Sequence, residues 1–309
     1  MVGEWWWLPG HEAGIGHATL LVFRHIVEIM EILRYAAFTA DPAGGNPAGV
    51  VLDATGVGDA EMLRVAADIG YSETAFLVPR GNGRFEVRFF SPKAEVPFCG
   101  HATIASAAAY AKRHGPGVLH LDTRAGLVEV STTVRSDGTT TATLVSVEPQ
   151  TRPIAAGDLT ALLEALGWAP GDLDATMPPR VAFAGAWHPI VATASRQRLA
   201  NLDYDMNALA RLMARHDWTT IDLVCRESPH VFHARNPFPP GGVVEDPATG
   251  AAAAAFGGYL RELRLVTPPV TITVHQGQDM GRPSVLKIGI PAQPRTGIAV
   301  TGTAVALAG

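Results

Sequence analysis

The segment VVEDPATGAAAAAFGGYLREL, Val243 to Leu263, decides how this chain is read. Two carboxylates, Glu245 and Asp246, a proline and a Thr-Gly turn run directly into a helix built almost wholly of alanine. Alanine is the strongest helix former and presents little side chain on any face. A helix so small all round fits where strands close in from every side. Carboxylates beside a buried helix cost free energy unless something holds them. Asp246 can cap the helix, the commonest use of an Asp before a proline-led turn. Capping needs only one acid, however, and Gly241, Gly242 and Gly250 let a ligand approach the backbone closely.

A second stretch, CGHATIASAAAYAKRHG from Cys99 to Gly115, has the same build. Both place an Ala-Thr pair, Ala102-Thr103 and Ala248-Thr249, at the mouth of an alanine-rich helix, about half the chain apart. This echo predicts two halves, each of strands wrapped around one central helix. An alanine-rich chain also has alanine-rich helices by composition alone, so the echo by itself leaves duplication open.

Around these helices the pattern is of short strands punctuated by Gly, Pro and Asp. EILRYAAF, AGVVLD, TAFLVP and RFEVRFFS read as strands, and GDAEMLRVAADIG as an amphipathic helix. The run from Gly117 to Val147 reads as a meander with SDGT at a turn, and EPQTRPIAAGD as a linker. After it the order recurs, through the helices DLTALLEALG and DMNALARLMARHD to the closing strands VTITVHQG, SVLKIGIP and TGIAVTG.

Bulk properties exclude several function classes. With 309 residues and 47% hydrophobic content, the chain can bury one large core or two ordinary ones. A net charge of −5 without a basic cluster argues against nucleic acid and against a membrane surface. No run of about 18 apolar residues is present to span a bilayer. Cys99 and Cys225 give no disulfide framework, so a reducing cytoplasm is the expected location. Residues 1–29, with Trp5, Trp6 and Trp7 and no A-x-A cleavage site, fit a secretory signal poorly. We expect Met30 to be the physiological start and the preceding residues to be a misassigned start or an accessory arm.

Three clusters can carry chemistry. Glu73, in YSETAFLV, is either a solvated edge charge or a carboxylate entering a core, where desolvation would suit it to take and return a proton. Gly100 and His101 fall where the first alanine helix begins, so backbone N–H groups there can hold a carboxylate beside an imidazole. Cys99 can be a nucleophile or proton carrier, or an inert buried thiol beside Phe98. The third cluster is Glu245, Asp246 and Gly250. Two such helix mouths facing one another would make a paired anion site. No phosphate loop, dinucleotide fingerprint or G-x-S-x-G elbow is present, which predicts no nucleotide cofactor. His230 and His233 sit three apart on an expected strand, a poor metal pair.

At these clusters the sequence resembles the PhzF family of phenazine-biosynthesis-like proteins. FTADPAGGNPAGVVL, YSETAFLV, FSPKAEVPFCGHATIAS, GGVVEDPATGAAAAAF and HQGQDMGRPSVL carry the resemblance, in family order over about nine-tenths of the chain. It implies a diaminopimelate-epimerase-like α/β (α+β) fold. Two pseudo-symmetric halves, residues 30–149 and 150–309, would each be a curved, mostly antiparallel sheet around a central helix. The last strand would return to the first half, and the site would lie between the halves. The resemblance further implies a homodimer that needs no cofactor or metal and relocates a proton on a small carboxylic acid. Carried over, Glu73 matches the general acid/base and His101 and Asp246 its polar partners. Gly100, Thr103, Gly250 and Ala251 fall at the substrate-binding mouths. The family's Asp-Pro-Ala-Thr-Gly-Ser-Ala is broken at Ala251, where a hydroxyl is missing. A racemase with two facing thiols is disfavoured, because the second motif has no cysteine.

Overall fold

The computed structural model describes residues 30–308. The chain divides into two units, Met1–Glu31 and Ile32–Gly309, and every element described belongs to the second. The expected extension and alternative start at residues 1–29 lie outside the described residues. No helix among the described residues is long and apolar enough to cross a membrane.

The first run of elements is β1 (Leu33–Ala37), β2 (Asn46–Val51), α1 (Asp59–Ile69), β3 (Glu73–Pro79), β4 (Arg84–Phe90), β5 (Glu95–Val96), α2 (Gly100–His114), β6 (Val118–Thr123), β7 (Gly126–Val134) and β8 (Thr140–Val145). The second run is β9 (Gln150–Pro153), α3 (Ala156–Leu166), β10 (Arg180–Phe183), β11 (Trp187–Ala192), α4 (Arg196–Ala200), α5 (Met206–His216), β12 (Asp222–Ser228), β13 (Val231–Phe238), β14 (Val243–Asp246), α6 (Gly250–Glu262), β15 (Val270–Gln276), β16 (Ser284–Ile290) and β17 (Ala299–Ala306). The stretch read as a linker contains β9, which pairs antiparallel with β10. Its prolines Pro149 and Pro153 bound the strand rather than break it, as an edge position allows.

The strand pairings repeat. In the first run β1 pairs β2, β2 runs parallel to β3, β3 pairs β4, β4 runs parallel to β6, and β7 and β8 follow antiparallel. In the second run β10 pairs β11, β11 runs parallel to β12, β12 pairs β13, β13 runs parallel to β15, and β16 and β17 follow antiparallel. Short β5 and β14 sit at the same place, on β4 and β13, just before the alanine helices α2 and α6. β17 also pairs with β8 and with β1, which closes the first run of strands into a ring. Closure removes the free edges that would otherwise invite another chain.

Register sets the equivalences. Phe90 faces Glu95 as Pro237 faces Glu245, and Phe89 faces Val96 as Asn236 faces Asp246. The repeated motif is therefore E-x-P-x-x-G, at Glu95–Gly100 and Glu245–Gly250, rather than the Ala-Thr pair. Thr249 is the N-cap of α6, whereas the N-cap of α2 is Cys99 and Thr103 lies a turn inside. Each glutamate is gripped by the arginine at the same register place. Arg88 donates to Glu95 at 2.8 and 2.6 Å. Arg235 donates to Glu245 through Nε at 2.9 Å and through Nη2.

Small side chains are what let the sheets close on α2 and α6. Nearly every residue of α6 from Ala252 to Leu260 is buried. A Cβ on Gly257 would come within 2.7 Å of Ile298, and one on Gly258 within 2.4 Å of Pro149. Both helices and their sheets share one hydrophobic core, centred on Phe89, Ile104, Phe232, Phe256 and Ile288. A second core lies beneath α3 and α5, around Leu162, Leu166, Leu212 and Met213.

Candidate active site

The mouths of α2 and α6 face one another. A Cβ added to Gly100 would lie 3.6 Å from the Gly250 Cα and 3.8 Å from the Ala251 nitrogen. Neither N-terminus is capped by a side chain, and neither first turn carries an acid. Two helix dipoles thus converge with their positive ends unneutralised by the first turn, an arrangement suited to an anion. Asp246 does not cap α6.

Around this junction the first run of elements supplies a tight group. Glu73 opens β3, Cys99 precedes α2 and His101 lies on its first turn. His101 Nε2 is 3.4 Å from Glu73 Oε2, and the Cys99 thiol donates to the same oxygen at 3.6 Å. Glu73 retains 14% side-chain exposure, so its side chain is not sealed in the core. Burial, reinforced by the charge of Glu73, pushes the Cys99 thiol well above its ordinary range. The sulfur is therefore a neutral S–H at neutral pH.

Asp246 comes from β14, and Asn46 joins it to this group. The Asn46 amide donates to Asp246 Oδ1 at 2.8 Å and to the Ala248 carbonyl at 3.1 Å, and its nitrogen lies 3.1 Å from His101 Nδ1. The two amide hydrogens serve Asp246 and Ala248, and the Cys99 sulfur also lies 3.3 Å from Nδ1. Nε2 faces Glu73 and the Ser72 hydroxyl, the latter 3.3 Å away. The Thr249 hydroxyl donates to Asp246 Oδ2 at 2.5 Å, and Gln276 donates to the Asp246 carbonyl at 2.8 Å. Burial pushes the Asp246 carboxyl up to about 6, against the pull of His101 and the bonds from Thr249 and Asn46.

The structure thus gathers Glu73, Gly100, His101, Asp246, Gly250 and Ala251 around one junction. Thr103 stands apart: it is fully buried, and its hydroxyl donates to the Cys99 carbonyl at 2.7 Å, within its own helix. Glu245 is occupied by Arg235, which also donates to the Ala200 carbonyl at 2.7 Å, so it supports the fold beside the site. Sequence reasoning missed Asn46, Ser72, Thr249 and Gln276. Asn46 stands before a proline in a glycine turn, where an Asn ordinarily serves the turn.

Register also shows the group to be one-sided. In the second run Thr220 stands where Glu73 stands in the first, Thr249 where Cys99 stands, and Ala251 where His101 stands.

A family model described as "Phenazine biosynthesis-like protein" matches residues 35–309, nearly the whole chain. The chain belongs to the PhzC-PhzF family. It is 32% identical over 288 residues to "Uncharacterized isomerase YfhB" of Bacillus subtilis, covering 89% of this chain and 96% of that one. It is 31% identical to the trans-2,3-dihydro-3-hydroxyanthranilate isomerase of Pseudomonas fluorescens, over 87% of this chain and 94% of that enzyme. The crystal structure of a Bacillus anthracis PhzF-family protein superposes with a TM-score of 0.81 at 26% identity, over 90% of this chain and 98% of that one. A probable proline racemase from Agrobacterium radiobacter shares the fold, with a TM-score of 0.61 at 12% identity over 89% of this chain and 90% of that one. The fold of the family is accordingly a mixed α/β fold shared with racemases.

Proposed function

We propose that this chain is a PhzF-family isomerase that relocates a proton on a small carboxylic acid without a cofactor, with Glu73 as acid and base. The observation that carries the reading is the Glu73 carboxylate beside His101 and Cys99, at the edge of two facing helix mouths. The substrate carboxylate binds at those mouths, where backbone N–H groups also stabilise the charge that grows as a C–H proton leaves. Glu73 takes that proton, with His101 Nε2 and the Cys99 S–H beside its carboxylate. The protonated Glu73 returns the proton to another carbon on the same face. Asn46, which Asp246 and Ala248 hold in place, packs its amide nitrogen against the His101 ring.

The one-sided group favours this single-base scheme over a racemase. A two-base racemase needs a proton donor opposite Cys99, and Thr249 at the equivalent place has no group that ionises near neutral pH. Ala251 in place of the family serine offers a methyl group to the substrate, so the substrate differs from one that relies on a hydroxyl there. The two strand repeats, residues 30–149 and 150–309, are the halves on either side of the site. A homodimer belongs to the same reading.

The test is to incubate small carboxylic acids with acidic C–H bonds, trans-2,3-dihydro-3-hydroxyanthranilate among them, with the enzyme in deuterated water. Proton NMR should show a double bond relocated in at least one of them. Racemisation dependent on Cys99, without bond relocation, would replace the isomerase by an epimerase.

A further inference from the structure

The motif HQGQDMGRPSVL, His275 to Leu286, spans the hairpin between β15 and β16, and the proposed reaction does not use it. The two ends of the hairpin hold the two sides of the helix-mouth junction. On the second-run side, Gln276 donates to the Asp246 carbonyl at 2.8 Å and to the Thr249 hydroxyl at 3.2 Å, and its amide oxygen accepts from the Thr249 N–H at 3.2 Å. On the first-run side, Arg282 donates through Nε to the Gly45 carbonyl at 3.0 Å and through Nη2 to the Gly44 carbonyl at 2.8 Å.

Arg88 and Arg235 turn the same Nε–Nη2 edge on a glutamate. Arg282 turns it on two successive carbonyl oxygens, so its rigid fork orients backbone instead of answering an acid. The Gly45 carbonyl belongs to the peptide unit that carries the Asn46 N–H, and a planar peptide held at its oxygen is held as a whole. The same turn is seated from below: the Gly45 N–H donates to the Pro283 carbonyl at 3.0 Å, and a Cβ on Gly44 would lie 2.5 Å from that oxygen. Within the hairpin, the Arg282 N–H donates to the Gly277 carbonyl at 2.9 Å and the Ser284 hydroxyl to the Arg282 carbonyl at 3.0 Å.

We propose that Arg282 is a positioning residue that fixes the Gly45–Asn46 peptide so that the Asn46 amide reaches the Asp246 carboxylate across the junction. Asp246 takes one side-chain donor from each run, Thr249 from the second and Asn46 from the first. Thr249 lies three residues from Asp246 and shares its turn, whereas Asn46 comes from 200 residues away and must be held. The hairpin thus clips the two runs together at their polar contact. Its effect on turnover rests on the reading of the site given above, whereas the placement of Asn46 does not.

Carbon-13 NMR of the aspartate carboxyls provides the test. Asp246, pushed by burial to about 6, faces His101, Glu73 and Cys99, and Asp222, pushed by burial to about 7, is a second buried carboxyl for comparison. Asp246→Asn and Asp222→Asn assign the two resonances. Arg282→Lys keeps the charge but has no fork to span two carbonyls. In that variant Asp246 should titrate about half to one pH unit higher, because its ionised form loses a donor, and Asp222 should not move. In an Asn46→Ala background, Arg282→Lys should move Asp246 no further. An Asp246 midpoint unmoved by Arg282→Lys, one that moves together with that of Asp222, or a shift that persists without Asn46 overturns the proposal. The wild type gives a reading that needs no variant: the Arg282 Nε–H should exchange slowly with solvent, and exchange as fast as that of an exposed arginine overturns the proposal too. A shifted midpoint in a protein without isomerase activity rejects only the proposed reaction, and activity with an unmoved midpoint rejects only the role of Arg282.

Discussion

At the residue scale, a buried polar chain behind the site shows how expensive ionisable groups are in this core. His188 Nδ1 donates to Thr220, Thr220 donates to Asn236 at 2.8 Å, and Asn236 donates to Asp222 at 3.0 Å. Burial holds His188 down to about 4 and pushes Asp222 up to about 7, the bond from Asn236 opposing the latter. The folded protein therefore keeps a proton on Asp222 that the unfolded chain releases near pH 4. Its contribution to stability falls as pH rises from about 4 to about 7 and stays lost above that. His188 acts in the opposite sense, contributing more as pH rises from about 4 to 6.5, so the wild-type curve mixes both. Asp222→Asn, which mimics the protonated acid, isolates one of them. It should match wild type near pH 4 and be more stable at pH 8 by roughly 1–3 kcal/mol in urea titrations. A variant no more stable than wild type at pH 8 would contradict this. None of the chain was legible in the sequence. His188 lies in an apolar run and Thr220 beside a strand, and only the register that makes Thr220 the counterpart of Glu73 brings them together. Glu73, His101 and Asp246 were singled out in the sequence because each stands at an end of a strand or helix, and the roles expected of them came from the family resemblance. Asn46 was not, because its role depends on partners far away in sequence.

At the element scale, the lesson lies in the two alanine helices. Their composition gave away their burial, since a helix without bulky side chains can be enclosed only by strands that come close. Their alignment was misread by four residues. Threonines stand out in a sequence, but the shared feature is an ion pair, whose arginine sits on a neighbouring strand at a different spacing in each half. The pair in the second half is the more buried, with side-chain exposures of 9% for Arg235 and 5% for Glu245. Arg88 keeps a second partner in Asp59, and Glu95 a second in Arg124. Removing one member of a buried pair strands the other's charge. Glu245→Ala should therefore lower unfolding stability by about 3–5 kcal/mol, and Glu95→Ala by clearly less. Equal losses in denaturant titrations would show that the two ion pairs are energetically alike despite their different surroundings.

At the scale of the whole molecule, the fold depends on the last strand. β17 bonds to β16 in its own run and to β8 and β1 of the other, through Val300, Thr301 and Ala304 among others. Deleting residues 297–309 opens the first ring and leaves β1, β8 and β16 each with an unpaired edge. The truncated chain should lose cooperative unfolding and become protease-sensitive in the first run of strands as well as in the last. Cooperative unfolding at the full-length midpoint would show that the ring does not need its closing strand. The asymmetry of the junction belongs to this scale too, for the repeated scaffold places Glu73, Cys99 and His101 in the first run and threonine, threonine and alanine at the equivalent places of the second. The central claim is that one carboxylate does both halves of the proton transfer. The most direct measurement is the isomerisation rate of Glu73→Gln on whichever acid the wild type turns over. The account predicts a kcat lower by about 10²–10⁴-fold, with substrate still bound at the helix mouths and KM little changed. Isomerisation by Glu73→Gln at the wild-type rate would contradict it.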